Sequence, residues 1–249
     1  MLPRRFLSSL LVVVSLALAA CSEPPPTSPA SLPATTVLET LTPPPAELLA
    51  ALEGFRAEGP KGWAFTQTTT GGGKDRVERF NPRLPGPDRW TLITEKGAPA
   101  TDEQKQRYRE TRPVFDASAN LAGQLDLAQV EVVARAPERT TYQFRLVPQG
   151  EKDLTALHMR ARFTLEHTSH TFSKVELFNA EPFKAASSLT IVEARTILEY
   201  SPPAEGRPAL SREISMHVSG RRFWFRDFTE TVVSRFSEHE NVARPATAP

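Results

Sequence analysis

Apolar and polar residues alternate through most of the second half of the chain. Leu157, Met159, Ala161, Phe163 and Leu165 take turns with His158, Arg160, Arg162, Thr164 and Glu166. A period of two held over that length predicts a strand with one buried and one wet face. Further strands are predicted over residues 130–136, 140–147, 170–179, 189–201, 211–219 and 222–237, with Gly220 read as the tight hairpin between the last two. Successive strands joined by short connections imply an antiparallel sheet.

The first half mixes the two periods. Leu48, Leu49, Leu52 and Phe55 recur at helical spacing within residues 45–57, opposite Glu47, Glu53 and Arg56. Pro45 suits the first turn and Gly59-Pro60 stops the helix. Strands are predicted over residues 62–69, with Trp63, Phe65 and Gln67 on one face, then 76–81 after Gly71-Gly72-Gly73, and 89–95 after a proline-rich corner. In the last of these, Trp90, Leu92 and Thr94 alternate with Thr91 and Ile93. Thr101 and Gln104 have the spacing of a capping box, so a second, largely polar helix is predicted over residues 102–111 with Tyr108 as its apolar anchor. A third short helix is expected over residues 116–125. The total is nine to ten strands and two or three helices. A sheet of that width curls, so the predicted fold is mainly β (α+β), a strongly curved antiparallel sheet or incomplete barrel with the helices packed on its concave side.

Composition changes the picture at the ends. Arg4 and Arg5 precede an apolar run to Ala20, too short for a lasting membrane span, and residues 1–20 read as an export signal. The run closes on Leu18-Ala19-Ala20-Cys21, which resembles a bacterial lipobox. That resemblance implies cleavage before Cys21 and acylation of its thiol and new amine, so the covalent lipid (such as palmitate) is the one non-protein group expected and no cofactor is. Cys21 is the chain's single cysteine. Cleavage takes Arg4 and Arg5 away and turns the net charge from +1 to −1. Neither value leaves the basic footprint of a nucleic-acid-binding protein. Eight of the 23 prolines fall between Pro24 and Pro45, among Ser, Thr and Ala. Residues 21–45 therefore read as an extended tether, residues 46–240 as one β-rich domain, and residues 241–249 as a flexible tail. Ser22, where lipoproteins kept at the inner membrane often carry Asp, points to the periplasmic face of the outer membrane.

The lipobox, the opening helix, the long meander and the helix between early and late strands together are similar to the LolA/LolB-like superfamily of periplasmic lipoprotein carriers and receptors. A narrower stretch, RVERFNPRLPGPDRWTLITEKGAPATDEQKQRY from Arg76 to Tyr108, resembles a module of uncharacterised proteobacterial envelope lipoproteins. The superfamily resemblance implies an unclosed barrel around a cavity for acyl chains. Trp63, Phe65, Trp90, Phe144, Met159, Phe163, Phe223 and Phe225 are the lining residues it suggests, aromatics supplying apolar area and methionine adaptability. The same residues would equally fill a solid core.

Motifs for chemistry are sparse. His167 and His170 are three apart, which puts them on opposite faces of a strand, and His158 and His217 fall on wet faces, so no metal site is expected. Gly71-Gly72-Gly73-Lys74 lacks phosphate-loop spacing and is followed by Asp75; it reads as a hairpin turn. No G-x-S-x-G elbow occurs. Arg221-Arg222-Phe223-Trp224-Phe225-Arg226 interleaves charge with aromatics and suits either a sheet edge or a headgroup or glycan surface. The expectation is a non-enzymatic, lipid-anchored periplasmic protein that holds acyl chains or a lipoprotein in an apolar groove. The alternatives are a structural scaffold that binds an envelope protein, and a hydrolase whose site is assembled from dispersed residues.

Overall fold

A computed structural model describes residues 39–57, 60–111, 121–148, 154–223 and 225–242. The expected export signal, Cys21, most of the tether, residues 116–120 of the third predicted helix, Trp224 and residues 243–249 lie outside the described residues. Thirteen strands form one antiparallel sheet that does not close into a barrel. They are β1 (Glu39–Leu41), β2 (Trp63–Gly71), β3 (Lys74–Phe80), β4 (Trp90–Glu95), β5 (Ala98–Pro99), β6 (Val130–Ala136), β7 (Arg139–Arg145), β8 (Met159–Glu166), β9 (Thr171–Asn179), β10 (Phe183–Ala186), β11 (Leu189–Ser201), β12 (Leu210–Arg222) and β13 (Arg226–Asn241). The helices are α1 (Ala46–Gly54), α2 (Asp102–Thr111) and α3 (Leu154–His158).

Every strand expected from the alternation is present, and the higher count comes from β1, β5 and β10, of three, two and four residues. Strands that short carry too few residues for a period to show. β1 falls inside the segment read as tether, where Glu39 pairs with Val132 of β6 and the Arg135 guanidinium meets the Glu39 carboxylate at 3.0 Å. β13 runs to Asn241, one residue past the expected domain end, and the Val242 amide donates to Gly62 at 2.9 Å. Residues 154–158 are helical rather than strand, so Leu157 is exposed and the alternation starts at Met159. Of the third predicted helix, residues 121–124 form a single 3-10 turn. The capping box is made: the Thr101 amide donates to Gln104 Oε1 at 2.8 Å and the Gln104 amide to Thr101 Oγ1 at 3.3 Å.

Gly220 is not a turn residue. It sits in the body of β12, opposite Phe228, and the chain reverses only after β12 ends at Arg222.

The strand order is β1-β6-β7-β8-β9-β11-β12-β13-β2-β3-β4-β5, with β10 branching from β11. β13 therefore joins the late meander to the early hairpins. Cross-strand partners share a face, so the register carries one face across the sheet. Phe163 lies beside Val175, Val175 beside Leu198, Leu198 beside Ile214, Ile214 beside Ser234, and Ser234 beside Thr69. Two residues along β2, Gln67 lies beside Glu78, and Glu78 beside Leu92. The main core lies on this face, where Leu48 and Leu52 of α1 pack with Val130, Val132, Phe144, Phe163 and Val175. Phe55, just after α1, meets the rings of Phe163, Phe172 and Tyr200 edge-on at 5.5–5.8 Å. α2 covers the far end of the same face through Tyr108, which packs with Leu92 and Ala100.

The opposite face is polar. Gln143 donates to Glu131 at 2.6 Å and Arg162 to Gln143 at 2.8 Å. Arg195 Nε donates to Glu176 at 2.6 Å, and the Arg162 guanidinium lies 4.3 Å over the Phe178 ring. Burial holds the Arg162 guanidinium below its ordinary range, against the opposing pull of Glu176. Such ladders keep a broad sheet soluble on its uncovered side.

Candidate functional site

The eight residues suggested as a lining are not brought together; they fall into three places. Phe144 and Phe163 form an edge-on pair 5.6 Å apart in the filled core, 1% and 0% exposed. They pack among the buried residues of the main core. Met159 bridges that core and a second cluster built on Phe183, Ile191 and Val218. Phe223 and Phe225 sit at the tip of the β12–β13 hairpin, 58% and 71% exposed.

The third place is a strip of the helix-covered face over β12, β13, β2, β3 and β4, between the residues packed on α1 and those packed on α2. Phe65 and Trp90 meet there edge-on at 5.6 Å, and Trp63 lies two positions from Phe65 on the same side of β2. Phe80 completes the contact, 5.0 Å from Phe65 and 4.9 Å from Trp90. Phe236 adds a fourth ring, 5.3 Å from Phe65. Phe80 and Phe236 were not singled out in the sequence. The signal was register: Phe80 pairs directly with both Phe65 and Trp90, and Phe236 pairs with Gln67. No strand read alone reveals those pairings.

Polar groups border the rings. Gln67 donates to Thr69 at 3.0 Å and to Ser234 at 3.2 Å, and the Thr69 and Ser234 hydroxyls bond at 3.0 Å. Glu78 is wholly buried; it accepts from Arg76 at 3.1 Å and from the Tyr108 hydroxyl, which fastens α2 to β3. His239 lies 6.1 Å from the Phe65 ring. Its Nε2 and the hydroxyl of Ser211 are buried without a hydrogen-bond partner. Burial pushes the His239 imidazole below its ordinary value; Arg207 and Arg79 add to the shift and a hydrogen bond to the Ser211 backbone opposes it.

The other histidines are spread out. His158 stacks on Phe183 with ring centroids 4.8 Å apart, and His167 bonds the Thr140 hydroxyl at 2.9 Å. His170 stands in the β8–β9 turn, and His217 bonds Thr231 at 3.0 Å. Separately, a cleft of about 440 Å³ opens between that turn and Pro202-Pro203. It is lined by Glu166, Thr168, Ser169, Thr171, Phe172, Ser173 and Ser201 together with the two prolines, and by none of the eight suggested residues.

The strip offers apolar ring surface next to hydrogen-bonding groups. Comparison of the chain with protein-family models, curated proteins and solved structures finds no match.

Proposed function

We propose that this chain is a non-enzymatic lipoprotein of the bacterial envelope. Cys21 anchors it to the periplasmic face of the outer membrane, residues 21–45 serve largely as its tether, and an acyl-chain ligand or a lipoprotein binds on the strip between α1 and α2. In this reading the sheet curves around the helices in the manner of the LolA/LolB-like proteins, and the ligand lies along the concave side. The observation that carries it is the ring cluster of Phe65, Phe80, Trp90 and Phe236. Three of its members, Phe80, Trp90 and Phe236, are only half-buried, so apolar surface remains on the covered face where a ligand gains by displacing water.

Native mass measurement after gentle extraction tests it. The parent protein should carry copurified acyl lipid, and Trp90→Ala with Phe236→Ala should lose most of it while keeping the parent's circular dichroism. A parent free of lipid, or a double variant that carries as much as the parent, would rule out the strip. Metabolic labelling with palmitate tests the anchor separately. The parent should take up label and Cys21→Ser should not.

A further inference from the structure

The β12–β13 hairpin is built in a way that packing does not explain. β2 stops at Gly71, opposite Val232, whereas β13 starts at Arg226. On that side the hairpin stands about 20 Å beyond its neighbour, at ~3.3 Å per residue. On the other side it is held by β11, with the Phe223 amide donating to Ser188 at 2.8 Å. At the tip Phe223 has φ +47°, a left-handed conformation that Gly or Asn adopts without penalty and a bulky aromatic does not. Phe223 and Phe225, the described aromatics at this turn, expose more than half of their surface. Apolar ring surface left in water at that level is unfavourable.

The charges around the tip are one-sided. Arg221 and Arg226 flank it, Arg222 lies 5.4 Å over the Phe228 ring, and the exposed Lys184 stands on β10, across β11 from Arg221. Among the described residues of β10 and the hairpin end, Asp227 is the one carboxylate, bonded to Arg221 at 2.9 Å. Exposed rings set among arginine and lysine match the chemistry of a bilayer interface: rings at the depth of the headgroups, cations against acidic lipids.

We infer that the tip of this hairpin docks the folded domain onto an anionic lipid surface, with Phe223 and Phe225 entering the interface and Arg222, Arg226 and Lys184 holding its headgroups. This goes beyond the proposed ligand strip and does not depend on it. It gives the domain a fixed orientation on a membrane.

The single native cysteine makes the test direct. The full chain carrying Cys21→Ser accepts one environment-sensitive fluorophore at Trp224→Cys, between the two phenylalanines in sequence, or at Glu205→Cys, in the turn at the other end of β12. Both are bound to vesicles of phosphatidylcholine with phosphatidylglycerol, and co-flotation is verified. The label at 224 should shift to the blue and be quenched by nitroxide-bearing lipid, whereas the label at 205 should do neither. Arg222→Ala with Arg226→Ala, or pure phosphatidylcholine, should remove most of the shift. A label at 224 that stays in water on co-floated protein overturns the inference, as does equal quenching at 205 or equal insertion with and without the arginines. A label at 224 that is buried only when a membrane protein is added assigns the tip to a protein partner and overturns it as well. Loss of copurified acyl lipid from the strip changes none of these readouts.

Discussion

Phe228 of β13 lies across Gly220 of β12, and a side chain at 220 would meet that ring at 2.9 Å and the Thr190 carbonyl at 2.3 Å. The glycine thus marks a close approach inside a strand rather than a turn, which the sequence does not distinguish without the partner strand. His239 shows the same dependence on neighbours. Its imidazole is kept neutral by burial beside Phe65, with Arg207 and Arg79 opposing a proton. A base whose folded pKa lies below its unfolded value of about 6.5 binds fewer protons folded than unfolded. Stability is then full above about pH 6.5 and is lost as pH falls through the folded value. The melting temperature of the parent should therefore drop between neutral pH and about pH 5. His239→Phe should drop less, so the two curves converge on acidification. Parallel curves would show that His239 does not titrate on unfolding.

Among the elements, α2 shows how a polar helix is held on a sheet. Its mean composition offers little to bury, and Tyr108 supplies both the apolar contact and a hydroxyl for the buried Glu78 carboxylate. Tyr108→Phe keeps the ring and removes a donor to a buried charge, which should cost about 1–3 kcal/mol in denaturant unfolding. Tyr108→Phe combined with Glu78→Gln should recover part of that, because the remaining group is neutral. This helix was legible in the chain because its capping box fixes its start locally. The ten longer strands were legible for a similar reason: alternation is a property of one segment. β1, β5 and β10 were not, since two to four residues hold no period. Leu157 and His158 were misread as strand because Leu157 fits the alternation that follows it, although the chain there is still helical.

At the scale of the molecule, β13 is the hinge of the whole sheet, pairing with β12 on one side and β2 on the other. A proline at its centre removes a ladder hydrogen bond and disrupts a strand with neighbours on both sides. Val233→Pro should lose roughly 2–3 kcal/mol from a stranded backbone group alone. It should abolish the cooperative transition seen by far-ultraviolet circular dichroism, whereas Val233→Ala, which keeps the N–H, should retain it. Pro99 is accommodated in β5 because that strand is an edge. The candidate strip was only partly readable for the same topological reason. Phe65 and Trp90 stood out by composition, but Phe236 joins them only because the last strand returns to the first hairpin.

That return also bears on how the protein is made. Thr69 and Ser234 are 165 residues apart in sequence and touch in the folded state. Synthesis from the amino end delivers β2 long before β13, its partner, exists. The early hairpins must wait with an open edge until almost the final segment emerges, a period in which such an edge invites pairing with other chains. Loss of the carboxyl end before folding would therefore damage the half of the protein synthesised first.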